Sequence, residues 1–584
     1  MNPAPPMKSR TAPRSIFRRW PLAAALPALL IGCGGDELPG NAPQGDVAPS
    51  VPATSTSPMT TAVFEPLGAS SGLPSGTWGR ASDPAAIVEV KGGGFALLHL
   101  DDDGVLDVFL PGGRSLDPGE PGRSAQVFRG TGAGFSEVPD AVNWQGWAMG
   151  AAVGDLTGDG LDDVLVTAHG PNALFVNQGD GTLVEDAAAR GLDHKDWSMA
   201  AALGDFDNDG DLDLYIANYL ELDLDNLPPD TSFQDEPIFA GPLGLTPTAD
   251  LLFENRGDGT FANKSFRSGI LNVPASFGLA AMPADFDVDG DLDVFVGNDS
   301  MANFLFLNDG GLRFSDAASQ KGLAANGDGR RQATMGVALG DFNGDALPDV
   351  FTTNFASDTN TLQVSRAGRP WRDRTSVSGL TTAGQTQVGW ASLLGDFDLD
   401  GDDDLAVFNG HVYPERLATK MGSEAAQPAL YFEREGQRFM ARTADEVGAW
   451  LDSKHIDRGG ALADFDQDGD LDLFVQEWRG PLRVLVNQAR ESGASAPVLE
   501  VELRQATSDR YALGARVELV AGDTARTAWI APAMGFQSSG ARTASFTLAD
   551  TEGQLSLRVT WPDGQTQEVP VPAGTTGRMV VERE

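Results

Sequence analysis

Four stretches of the chain repeat one nine-residue pattern whose side chains could gather oxygen ligands around a cation. They read DFDNDGDLD from Asp205, DFDVDGDLD from Asp285, DFDLDGDDD from Asp396 and DFDQDGDLD from Asp464. Asp occupies positions 1, 3, 5 and 9 of each: Asp205, Asp207, Asp209 and Asp213; Asp285, Asp287, Asp289 and Asp293; Asp396, Asp398, Asp400 and Asp404; Asp464, Asp466, Asp468 and Asp472. Calcium is a hard cation that takes about six to eight oxygens in flexible geometry, so clustered carboxylates joined by a carbonyl at position 7 suit it. Gly at position 6 permits the sharp reversal that a Cβ would obstruct. Cys and His are absent from these four loops, which argues against zinc or copper.

Three weaker copies have the same outline. DLTGDGLDD keeps Asp155, Asp159 and Asp163 with Thr157 as an alternative oxygen donor. DFNGDALPD keeps Asp341, Asp345 and Asp349 with Asn343, and loses the Gly to Ala346. HLDDDGVLD starts on His99, which is unfavourable for calcium, so this loop is expected to stay empty or bind weakly. The expected complement is about four to six calcium ions, the full loops filling first because ligand charge tunes affinity. An EF-hand would need a carboxylate at position 12; that position holds Ile216, Val296, Val407 and Val475. The alternation that follows each Gly, as in DLDLYIAN, is strand periodicity.

The elements around the loops recur with them. A small, apolar stretch precedes each loop, for example GWAMGAAVG, DWSMAAALG and VGWASLLG. An aromatic strand and a Gly turn follow, as in NALFVNQGDGTLVEDAAARGL from Asn172, and Asp-Gly between alternating apolar residues signals a hairpin. Each unit thus holds about four short strands, and repetition of such units predicts an all-β, seven-bladed β-propeller over residues 62–490. The Gly/Ala-rich strand belongs nearest the axis, where only small side chains fit. FEPLGASSGL from Phe64 matches the end of a unit without its beginning, and the last unit lacks that end, so the ring is expected to close through Phe64–Leu73. Residues 498–584, with VLEVELR, ARVELV and LSLRVTW, read as a small β-domain that follows the ring.

Before Cys33 the chain has five basic residues and no acid, then an apolar run from Trp20 to Ile31. Leu30-Ile31-Gly32-Cys33 resembles a bacterial lipobox, so residues 1–32 read as a lipoprotein signal peptide and Cys33, the single cysteine, as the lipidated residue. Residues 33–61, rich in Pro, Ser, Thr and Gly, read as a flexible tether. The expected location is the bacterial cell envelope, as an outer-membrane lipoprotein or at the cell surface, with membrane contact through the anchor only. A formal net charge of −42 opposes nucleic-acid binding.

The DxDxDG loops and FxNxGxGxF elements together resemble the FG-GAP/VCBS repeats of integrin-like propellers. Asn409-Gly410-His411-Val412-Tyr413-Pro414, Gly241-Pro242-Leu243-Gly244-Leu245, Gly514-Ala515-Arg516-Val517 and Trp561-Pro562-Asp563-Gly564 narrow the resemblance to bacterial relatives of cartilage acidic protein that end in an ASPIC/UnbV domain. It departs at Phe546-Thr547-Leu548-Ala549, where the family usually shows Phe-Gly-Leu-Gly. The resemblance implies the fold, calcium and an extracellular setting.

For function, the expectation is a surface binding, adhesion or scaffold module with an extracellular protein or glycan as partner. Trp147, Trp197, Trp390, Met149, Met199, Met335, His194, Lys195, Arg330, Arg331, His455 and Arg458 stand before or at the start of the inner strands. They read either as core that plugs the channel or as a mouth for an anionic or sugar ligand. The alternative class is a propeller-based polysaccharide lyase or hydrolase. With only five His and no GxSxG or HExxH motif, no catalytic residue is assigned.

Overall fold

In the computed structural model the described residues are 62–77, 83–101, 103–120, 122–548 and 553–584. The expected signal peptide, Cys33 and tether lie outside them. Pro58–Glu584 forms one compact unit.

The chain is an all-β propeller. Seven four-stranded antiparallel sheets carry the repeat, and in six of them the four strands follow chain order with the Gly/Ala-rich strand innermost. The inner strands include Trp147–Gly154, Ser198–Gly204, Gly278–Ala284 and Gly389–Gly395. Small side chains are required there because adjoining blades nearly touch: a Cβ on Gly336 would lie 1.9 Å from Trp390 O. The seventh sheet is completed from the other end of the chain. Phe64–Pro66 pairs with Leu482–Asn487 in register Phe64↔Asn487, as the split repeat predicts. Phe64 then packs edge-on against Phe397 and Trp450 of the preceding repeat, with ring centroids 5.6 and 5.4 Å away. No helix among those described exceeds six residues.

Each Asp loop joins the first two strands of its sheet and is closed at its base by a strand pair. The residue before position 1 pairs with the Asp at position 9: Gly204↔Asp213, Ala284↔Asp293, Gly395↔Asp404 and Ala463↔Asp472 in the full loops. All loops therefore open on the same side of the ring.

The residues after 497 form two sheets. Val498–Arg504 pairs with Thr543–Thr547 and, in parallel, with Gly577–Glu582; Arg516–Ala521 lies between Thr524–Trp529 and Leu555–Thr560, with Thr566–Val571 at the edge. This domain is docked on the ring. Its Leu499, Val501, Val517 and Leu557 belong to one hydrophobic cluster with Leu156, Leu165, Leu203 and Leu212 of the second and third repeats. The segment Ala531–Ala541 enters the channel and adds backbone hydrogen bonds to several inner strands. Leu97 N donates to Ser539 O (2.9 Å), Ala151 N to Gln537 O (3.0 Å), Val337 N to Gly535 O (3.0 Å) and Ala541 N to Leu462 O (3.0 Å). Phe536 meets Trp390 with ring centroids 5.0 Å apart.

The opposite mouth is covered by two insertions. A hairpin, Thr231–Phe233 with Glu236–Ile238, reaches from the third repeat to the helix Glu415–Lys420 of the sixth. Glu236 pairs with Arg416 (3.1 Å) and Lys420 (2.8 Å), and Phe239 packs on Tyr413. Between plug and cover, Trp147, Trp197, Trp390, Met149, Met199 and Met335 are buried in a single cluster. Arg458 is buried with them, its guanidinium stacked on Trp390 and donating to Val90 O, Gly410 O and Asp457 O. These residues are core. The other polar candidates do not join them: Arg330 pairs with Asp358 at 3.8 Å, and His455 lies 3.4 Å from Glu477.

Candidate metal loops

Position 1 shapes each full loop before any cation is considered. Asp205 accepts the N–H groups of Asp209 (3.0 Å) and Gly210 (2.9 Å); Asp396 accepts those of Asp400 (3.0 Å) and Gly401 (3.0 Å). The same pattern recurs at Asp285 and Asp464. The loop backbone thus wraps its own first carboxylate.

Position 9 is a structural knot. Asp107, Asp163, Asp213, Asp293, Asp349, Asp404 and Asp472 are all fully buried. In the third repeat Asp213 Oδ2 accepts Phe206 N (3.1 Å) and Oδ1 accepts Asn255 N (2.8 Å) from the third strand. Asp293 and Asp472 repeat this, and so does Asp107 in the loop that begins with His99. The ninth Asp therefore joins loop to sheet even where cation ligands are fewest, a role that residue type alone did not distinguish from ligation.

The structure sorts the loops. Asp205, Asp207 and Asp213 offer carboxylate oxygens within 4.8 Å of one another, as do Asp285, Asp287 and Asp289, Asp396, Asp398 and Asp400, and Asp464, Asp466 and Asp472. All four full loops gather three carboxylates each, though the third differs: position 9 in two loops, position 5 in the others. The loops from Asp155 and Asp341 are not among the gathered sets. In the latter, Asn343 Nδ2 donates to Asp345 Oδ2 (3.1 Å) and Ser365 Oγ to Asp345 Oδ1 (3.0 Å), so neutral donors serve that carboxylate. In the His99 loop, Arg129 pairs with Asp101 at 2.8 Å.

Burial raises carboxylates in every repeat, among them Asp163 and Asp349 of the weaker loops (about 7) and Asp107 of the His99 loop (about 6). Burial, reinforced by neighbouring carboxylates, raises Asp205 and Asp207 to about 6, Asp396 and Asp464 to about 7, and Asp398 to about 9. Asp207 Oδ1 and Asp402 Oδ1 are buried with no hydrogen-bond partner. A divalent cation would supply what these oxygens lack and reverse the mutual repulsion. The donor set is all oxygen, which fits a hard cation.

Two left-handed residues shape each loop, and only the Gly at position 6 is legible in the repeated pattern of the full loops. Gly210, Gly290, Gly401 and Gly469 have φ between 95 and 105° at position 6. Position 4 is left-handed too: Asn208, Val288, Leu399 and Gln467 lie at φ 61–62°, where the weaker loops have Gly158 and Gly344. A β-branched residue there is strained, by about 1–3 kcal/mol. Val288→Gly is therefore expected to raise stability in chelator by about 1 kcal/mol. Asn208→Gly should not stabilise and should cost slightly, because Asn tolerates this region and its Nδ2 bond to Asp291 Oδ1 (2.7 Å) is lost. Paired melting curves check both, and an equal response of the two variants would refute the strain.

The carboxy-terminal domain and its connector contact the position-6 residues. Asp509 N donates to Gly210 O (3.3 Å), Arg526 Nη1 to Gly401 O (3.0 Å), Arg516 Nη1 to Ala346 O (2.9 Å) and Arg490 Nη2 to Gly469 O (3.4 Å). Arg510 reaches Gly160 O, and Gly564 lies against Gly290. Loop shape and domain docking are thus one structural problem. A cavity of about 720 Å³ remains between this domain and the first and last repeats, lined by His99, Asp464, Glu500, Tyr511, Arg542 and Arg578 among others.

Comparison with known proteins places two family models on parts of the chain. A family model described as FG-GAP-like repeat matches residues 155–216 and 285–352, and one described as ASPIC and UnbV matches 505–583. Cartilage acidic protein 1 of Mus musculus is 27% identical over 442 residues, covering 72% of this chain and 62% of the mouse protein. The Xenopus tropicalis protein of that name is 29% identical over 320 residues, 53% of this chain and 45% of its own length. The Homo sapiens protein is 27% identical over 369 residues, 62% and 50% respectively. The matches thus span 45–62% of the length of these relatives. Among solved structures, PorZ of Porphyromonas gingivalis aligns with a TM-score of 0.39 at 11% identity, covering 85% of this chain and 60% of that one. A lectin of Agrocybe aegerita aligns with a TM-score of 0.36 at 14% identity, covering 71% and 88%. The chain carries FG-GAP-like repeats and an ASPIC and UnbV domain, the combination that its cartilage acidic protein 1 relatives also carry.

Proposed function

We propose that the protein is a calcium-stabilised binding or scaffold module of the bacterial envelope, anchored through lipid on Cys33. The observation that carries the calcium reading is that each full loop gathers three carboxylates within 4.8 Å while position 1 is held by the loop's own N–H groups. The ligands assigned are the Asp residues at positions 1, 3, 5 and 9 of the full loops. Asp155, Thr157, Asp159 and Asp163, and Asp341, Asn343, Asp345 and Asp349, serve the weaker sites. Calcium would then act as the cross-link in a chain whose single cysteine permits no internal disulfide.

A binding role, with an extracellular protein or glycan as partner, is favoured over catalysis by the state of the channel. Its aromatic and thioether side chains are packed as core between a plug and a cover, and they are the groups a channel-mouth substrate site would have needed. The ring's outer surfaces and the docked domain then present the partner-binding face.

The anchor is tested by Cys33→Ser, which is expected to abolish palmitate incorporation and move the protein from the membrane to the soluble fraction. Continued membrane association of the variant, with no label in the native protein, would refute it. Partner binding is tested with glycan and envelope-protein panels in calcium and in chelator. A partner lost on chelation and regained with calcium is expected; turnover of a polysaccharide without stable binding would favour the enzyme instead.

A further inference from the structure

Beside the last full loop lies a carboxylate group that the nine-residue pattern does not contain. Asp468, Asp470 and Glu491 offer oxygens within 4.8 Å of one another. Asp468 and Asp470 are positions 5 and 7 of the loop. Glu491 stands beyond the last propeller strand, Leu482–Asn487, in the connector that leads to Val498. Three carboxylates this close repel one another unless protons or a cation intervene.

Arg490, the residue before Glu491, does not pair its guanidinium with them. Arg490 directs its guanidinium to Ala496 O (2.6 Å), Ala494 O (3.5 Å) and Gly469 O (3.4 Å), and only its backbone N–H reaches Asp470 Oδ2, at 3.3 Å. The other oxygen of Asp470 is the informative one. Asp470 is 1% exposed, and its Oδ1 is buried with no hydrogen-bond partner. At the same position of two other full loops a donor is provided: Asp211 Oδ1 accepts Ser508 Oγ at 2.9 Å, and Asp291 Oδ1 accepts Asn208 Nδ2 at 2.7 Å; Asp402 Oδ1 also lacks one, but no gathered carboxylate set includes Asp402. The last loop has left this oxygen without a donor and has brought Glu491 beside it.

We infer that Asp468, Asp470 and Glu491 hold a second divalent cation of the calcium class, which ties the connector to the last blade. It shares Asp468 with the loop, whose own gathered set is Asp464, Asp466 and Asp472. The inference extends the calcium reading to a site outside the repeat. Its consequence is mechanical: the cation fixes the point where the chain leaves the ring for the docked domain.

The test counts calcium ions bound to the full chain, stripped with chelator and titrated with calcium alone, by native mass spectrometry and calorimetry. Glu491 is exposed, so Glu491→Gln leaves packing intact. It is expected to remove one ion, or weaken one site by about tenfold or more, because one anionic ligand is lost. Asp466→Asn should remove a different ion, and the double variant both. In calcium, the Glu491→Gln connector should also be cut faster by protease. Unchanged ion count and affinity in Glu491→Gln, with Asp466→Asn losing its ion, would overturn this site and leave the loops standing. A wild-type chain that takes up no calcium overturns both readings.

Discussion

Chelation is expected to lower the melting temperature of the full chain by about 10 °C. The size follows from mass action. Each site filled at a hundred times its dissociation constant stabilises the native state by about 2.7 kcal/mol, so four full loops contribute roughly 10 kcal/mol. Unfolding entropy of about 2.1 cal/mol/K per residue, for a unit running from Pro58 to Glu584, converts that to about 1 °C per kcal/mol. The loss should not be confined to the loops. The docked domain contacts the position-6 residues through Asp509, Arg526, Arg516 and Gly564, so a loop that relaxes without its cation loosens these contacts while the buried Arg542–Asp162 pair keeps the domain on the ring. Chelation is therefore expected to expose the connector around Glu491–Pro497 to protease well below the melting temperature. Calcium should restore both properties and magnesium should not, since it demands stricter octahedral geometry and dehydrates reluctantly. A melting curve unchanged after exhaustive chelation, with metal content shown to be near zero, would sink the calcium reading.

Much of the propeller was legible because its signals are local and repeated. The small inner strand, the Asp loop and the Asp-Gly hairpin recur together, and the split unit at Phe64 predicted the pairing with Asn487. Each of the four full loops contains one gathered carboxylate set, and the Asp spacing that brings those side chains together is local. Less local features were not legible. That position 9 serves as a knot depends on the N–H of Asn255, 42 residues from Asp213 in sequence. The left-handed residue at position 4 is hidden by Val288, Leu399 and Gln467, although Gly158 and Gly344 in the weaker copies carried the signal. The docking of the last domain is not legible in its strand pattern. Ala531–Ala541 reads APAMGFQSSGA, a run of small residues around one aromatic that matches the inner strands, and that likeness was the available sign that it belongs at the axis.

Replacing Arg542 is expected to destabilise the full chain by about 3–5 kcal/mol. Arg542 Nη2 pairs with Asp162 Oδ2 at 2.5 Å, and the two side chains are 4% and 1% exposed. The guanidinium also stacks on Tyr511, 4.2 Å from the ring centroid. Asp162 Oδ2 accepts His99 N at 2.9 Å as well, so one carboxylate holds the first repeat, the second repeat and the last domain together. Arg542→Met keeps much of the side-chain volume but leaves Asp162 buried without its counter-charge, and loss of one partner from a buried pair costs about 3–5 kcal/mol. At about 1 °C per kcal/mol for a chain of this size, the melting temperature should fall by roughly 3–5 °C in calcium. Asp162→Asn in the Arg542→Met background should recover part of the loss, because the uncompensated charge is removed while Asn can still accept from His99 N. The contrast with the loops is the useful part. This pair involves no assigned cation ligand, so its cost should persist in chelator, whereas that of Asp207→Asn should largely vanish there. If the Arg542→Met penalty also vanishes on chelation, docking is lost along with calcium, and the loops rather than the buried pair hold the domain in place.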